Sequence, residues 1–104
     1  MKEKYTKHFI DDRADRATYI LLTTGLGNDV MTVTKAKEKA QYTVTDEGVL
    51  IIRSIRTQKI ITIYYLEKHQ FNKIFATDCP LCVRNAIKRN EHRGYIKKQT
   101  LAKY

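Results

Sequence analysis

Five scarcities bound this 104-residue chain. It has one proline, Pro80, so no proline-rich linker divides it. It has no apolar run near the roughly 18–20 residues that cross a bilayer, which argues against a spanning helix and a membrane partner. The opening stretch MKEKYTKHFIDDRADR holds no apolar core of the kind a secretory leader needs. Two cysteines, Cys79 and Cys82, are too few for the disulfide framework of a small secreted domain. A cytoplasmic protein is therefore expected. The last scarcity is of acid in the second half. Residues 48–104 carry only Glu67, Asp78 and Glu91 against twelve lysines and arginines, a net of +9, whereas residues 1–47 balance eight against eight. Such an imbalance points to a polyanionic partner, nucleic acid foremost. A solvated basic face that only maintains solubility is the plainer alternative.

What is present suits a single α+β domain over 1–104. Apolar residues make up 42% of the chain, too many for a disordered one. In TKHFIDDRADRA, residues 6–17, Phe9, Ile10, Arg13, Ala14 and Ala17 recur at helical spacing. TYILLTT can be a strand or the buried end of that helix; continued helix to about residue 24 is preferred, ended by GLGND. DVMTVTK is a further strand or a loop. AQYTVTD, EGVLIIRSI and KIITIYYL then form an antiparallel meander, with a turn at Asp46-Glu47-Gly48 and a short RTQK connection. TDCPLCVRNAIKRNEHRG reads as a basic helix with Asp78 as N-cap, Pro80 in the first turn and Gly94 as the stop. The tail YIKKQTLAKY is a last short element or loose. The expected architecture is an N-terminal helical region packed on the meander, followed by the basic helix.

The hairpin of residues 48–66 poses a question, because Arg53 interrupts its isoleucines. Paired across RTQK, Arg53 faces Thr62, Ile51 faces Tyr64 and Val49 faces Leu66. One face then carries Arg53, Thr62 and Tyr64, and the other Leu50, Ile52, Ile61, Ile63 and Tyr65 as a dry core face. The polar cluster is either an ordinary wet sheet face or a phosphate seat, with the guanidinium fork and the hydroxyls donating to phosphoryl oxygens.

The order KYTKHFIDDR, YTVTDEGVLIIRS, IITIYYL resembles small nucleases of the barnase/EndoU/colicin/RelE superfamily, of phage or mobile-element type. The resemblance covers roughly residues 5–66. It implies metal-independent RNA cleavage by a toxin-like endoribonuclease without a cofactor, with His8, Arg53, Thr62 and Tyr64 as the catalytic set. His8 would carry protons near neutral pH, Arg53 would neutralise growing phosphoryl charge, and Tyr64 would stack on a base or donate to the phosphate. For His8, an ordinary surface histidine is the alternative. His69 and His92 are other candidate proton carriers.

Cys79-Pro-Leu-Cys82 sits where a helix start would lower a thiol pKa, yet it lacks a βαβ context and a second metal half-site. Two small apolar residues on a buried stripe, with no metal, is the plainer expectation. The competing function is a non-catalytic nucleic-acid-binding module or small regulator, using Arg56, Lys59, Arg84, Lys88, Arg89, Arg93, Lys97 and Lys98. A protein partner, either an inhibitor of this chain or a host protein that it inhibits, is the remaining class.

Overall fold

The computed structural model describes residues 16–101. The expected helix over 6–15, and His8 within it, lie outside them. The described helix α1 covers 16–23, so TYILLTT does continue a helix. It is followed by β1 (Asp29–Lys35), a 3-10 turn (Ala36–Glu38), β2 (Ala40–Thr45), β3 (Val49–Ser54), β4 (Ile60–Tyr65) and the helices α2 (Lys68–Phe75), α3 (Leu81–His92) and α4 (Tyr95–Leu101). The four strands form one antiparallel sheet in the order β1-β2-β3-β4, and the fold is α+β.

Both faces of the central strand are buried: Val49 and Leu50 are 0% exposed and Ile51 is 2% exposed. On one face Val49, Ile51, Ile63 and Tyr65 pack against Ala17 and Ile20 of α1. On the other, Leu50 and Val44 meet Phe71 and Phe75 of α2 and Val83 and Ile87 of α3. Such a strand is apolar almost throughout rather than alternating, and this moves the hairpin register by one residue from expectation. Val49 pairs with Tyr65, Leu50 with Tyr64, Ile51 with Ile63 and Ile52 with Thr62. A bulge then brings Arg53 opposite Ile60, leaving Ile61 unmatched. Ile52 and Ile61, expected in the core, are only half-buried.

Helix α3 is seated on the turn between β2 and β3. Arg89 pairs with Glu47 at 3.1 Å, and the Asn90 side-chain amide donates to the Glu47 carbonyl at 2.8 Å. Gly48 permits this approach. Its φ is +74°, and a Cβ there would stand 2.9 Å from Asn90 Nδ2. Pro80, not Asp78, occupies the N-cap of α3, and Gly94 follows its last turn with φ of 76° as expected.

The two sheet edges differ. Along β4, Arg16 Nε donates to the Ile63 carbonyl at 3.1 Å. Further along that edge, the buried Gln99 of α4 accepts from the Tyr65 N–H at 2.7 Å and donates to the Tyr65 carbonyl at 3.0 Å. Gln99 thus stands in for a fifth strand and covers an otherwise open edge. No helix among the described residues is long and apolar enough to cross a membrane.

Candidate nucleic-acid interface

The register decides what the expected catalytic residues can reach. Arg53 alternates with Ile51 and lies on the α1 side of the sheet, between Gln41 and Ile60. Thr62 and Tyr64 pair with Ile52 and Leu50 and belong to the opposite side. The expected Arg53–Thr62 pair is therefore not formed. The arginine that meets these two residues is Arg16. Its Nη2 donates to Thr62 Oγ1 at 2.7 Å, and its guanidinium carbon lies 5.7 Å from the centroid of the Tyr64 ring. Burial raises the Tyr64 phenol above its usual pKa, and the neighbouring Arg16 cation partly offsets that. Thr62 is only 8% exposed. This cluster ties α1 to the β4 edge. Sequence spacing did not single out Arg16, because only the tertiary fold brings it to a strand more than forty residues away.

The basic residues are distributed unequally. Arg56 and Lys59 are exposed in the β3–β4 connection, at the end of β3 opposite the Gly48 turn on which α3 sits. Arg89 is held by Glu47 and is half-buried. Lys68 of α2, Arg84 and Lys88 of α3, Arg93 at the end of α3, and Lys97 and Lys98 of α4 are all exposed. None of these six forms an ion pair with a described residue; Arg89–Glu47 is the one such pair among the described residues. Helical periodicity explains the arrangement. Val83, Ala86, Ile87 and Asn90 turn one side of α3 into the protein, which leaves Arg84 and Lys88, one turn apart, on the outer side.

Between α2 and α3 lies an open cleft of about 320 Å³. Lys68 and Asn72 form one wall, and Arg84, Lys88 and Glu91 the other, with Ile87 and the loop residues Asp78 and Cys79 between them. Arg84 Nη2 donates to the Cys79 carbonyl at 3.4 Å, which ties the arginine to the loop that closes one end. Helix α2, which pattern reading passed over, supplies a whole wall. Its signals are Phe71 and Phe75 one turn apart, and a Gln70 side chain that accepts from the Glu67 N–H at 2.9 Å. A second recess beside Lys97 runs between Glu67 and the start of α4.

Cys79 is half-buried and Cys82 exposed, and both are free thiols. Burial pushes the Cys79 thiol above its ordinary pKa, the reverse of an activated cysteine. Among the described residues no three His, Cys, Asp or Glu side chains are placed to share a metal ion. His69 and His92 are exposed, in α2 and in the last turn of α3.

No protein-family model matches the chain, and neither the curated proteins nor the solved structures contain a match to it.

Proposed function

We propose that the chain is a nucleic-acid-binding domain that holds the phosphate backbone through α2, α3 and α4. The carrying observation is the set of exposed cations Lys68, Arg84, Lys88, Arg93, Lys97 and Lys98, none of which forms an ion pair with a described carboxylate. Surface cations gain little from isolated surface pairs, but a row of them releases condensed counterions when it meets a polyphosphate. The acid-balanced first half of the chain contributes α1 and strands β1 and β2, and the basic second half contributes β3, β4 and the helices α2, α3 and α4. The site of action this implies is the cytoplasm, with RNA as the first ligand to test.

The alternative is metal-independent RNA cleavage by His8, Arg53, Thr62 and Tyr64. One assay separates the two. Labelled RNA is incubated with the protein in the presence of EDTA, and both retention and strand length are followed. Retention without shortening is the expected result. Shortening that is lost in His8→Ala and Arg53→Ala would replace binding by catalysis as the function. Neither retention nor shortening would leave a protein partner as the remaining class.

A further inference from the structure

The cleft between α2 and α3 has a mixed lining that a phosphate backbone alone does not require. Lys68 faces Arg84 and Lys88 across it, so cations stand on both walls. Arg84 and Lys88 are separated by about 6 Å along the helix axis. Asn72 adds an amide that can both donate and accept, and Glu91 and Asp78 add acceptor-only carboxylates. The floor holds Ile87, which is 2% exposed, and the side of Cys79. Two carboxylates in the cleft repel a bare phosphate, yet they suit the amino and ring N–H groups of a base. An apolar floor suits a base face, and the guanidinium plane of Arg84, tied to the Cys79 carbonyl, is a surface on which a base can stack. The volume of about 320 Å³ is at the small end of ligand pockets. It matches one residue of a strand rather than a stretch of duplex.

We infer that the α2–α3 cleft is a pocket for one unpaired nucleotide, its base on the Ile87 floor against Asn72 and Glu91 and its phosphates at Lys68, Arg84 and Lys88. The inference rests on the nucleic-acid reading above and narrows it to single strands. A paired and stacked base has its Watson–Crick edge occupied and its faces covered, so a duplex meets only the cations on the rim.

The test uses fluorescence anisotropy with the full chain, a labelled mixed-sequence single strand of RNA, the same strand in DNA, and the DNA duplex matched in phosphate count. The single strands bind about tenfold tighter than the duplex, as one or two hydrogen bonds and an apolar contact to a base would give. Asn72→Ala lowers single-strand affinity about fivefold and so narrows the gap to duplex. Comparing the two single strands shows whether the sugar is also read. Alkylation of the two cysteines provides an independent measure. Saturating single strand slows modification of Cys79, in the cleft, several-fold relative to the exposed Cys82, which does not line it. Equal or tighter duplex binding, or equal effects on both thiols, overturns the pocket while leaving backbone binding intact. Failure to bind any of the three ligands overturns the pocket and the nucleic-acid reading together.

Discussion

Replacing Gln99 by leucine removes the contact by which α4 covers the β4 edge, and its cost can be worked out from the geometry. The side chain is only 7% exposed and satisfies both backbone groups of Tyr65, itself 0% exposed. Leucine keeps most of the volume but leaves a buried N–H and a buried carbonyl without partners. Each such orphan costs about 1–3 kcal/mol. Against this, leucine has less side-chain entropy to lose than glutamine, for which the loss is about 1.5–2 kcal/mol. The net destabilisation is about 1–5 kcal/mol, a large share of the roughly 5–15 kcal/mol that holds a domain together. Urea unfolding reads it as a lower midpoint at unchanged slope, and hydrogen exchange reads it as faster loss of the Tyr65 amide proton. Gln99→Glu refines the test. The carboxylate still accepts from the Tyr65 N–H but repels the carbonyl, whereas its protonated form restores a donor. Its folded-state pKa is thus raised, so the stability it restores is present below the ordinary glutamate pKa of about 4.3 and is lost as pH rises through the higher folded value. A loss below half a kcal/mol for Gln99→Leu, with Tyr65 exchange unchanged, would show that α4 does not seal the β4 edge.

Gly48→Ala should destabilise by about 1–3 kcal/mol, because the position combines a left-handed backbone with close approach of Asn90; chemical denaturation measures it, and a neutral result would refute the seating of α3 on that turn. Tyr42 should ionise at about 12, raised first by burial and then by the Glu38 carboxylate that accepts its hydroxyl at 2.9 Å. Its folded state holds the proton more tightly than the unfolded one, so this contribution to stability is intact below about pH 10 and is lost between about pH 10 and 12. Tyrosinate absorbance of the wild type and Glu38→Ala checks this, the variant titrating lower but still above an exposed tyrosine. Arg16→Ala should cost about 1–3 kcal/mol through the orphaned Ile63 carbonyl and the lost Thr62 bond, and an unchanged unfolding midpoint would show that α1 is not held by that arginine.

The meander was legible because turn chemistry and β-branched runs agree over AQYTVT, VLIIRS and IITIYY, and Gly94 was legible as a helix stop because only its conformation fits there. The hairpin register was not. Alternation specifies a register only when one face is wet, and β3 buries Val49, Leu50 and Ile51 in succession between α1 and the α2–α3 layer. Nothing local distinguishes pairing Ile51 with Tyr64 from pairing it with Ile63. Arg53 was correctly placed on a strand, yet its neighbours depend on a bulge at Ile61 that the pattern does not announce. The polar cluster expected around Thr62 and Tyr64 does form, with Arg16 in place of Arg53, because a helix elsewhere in the chain crosses the edge of β4. Basic character was legible from the charge imbalance alone. Its division into structural Arg89, turn residues Arg56 and Lys59, and the open helical set needed the packing of α3 on Glu47 and Gly48.

The most direct test of phosphate binding by α2–α4 is the salt dependence of affinity for a labelled RNA, compared between wild type, Lys88→Ala, Lys97→Ala and Lys59→Ala. Each phosphate contact contributes about 0.7 to the slope of log affinity against log salt for a single strand. Lys88→Ala and Lys97→Ala should each flatten the slope by about that amount and weaken binding of any sequence. Lys59→Ala, at the far turn, should leave the slope close to wild type. A wild-type affinity that does not fall with salt, or slopes that Lys59→Ala flattens and the two helical variants do not, would contradict binding through α2–α4.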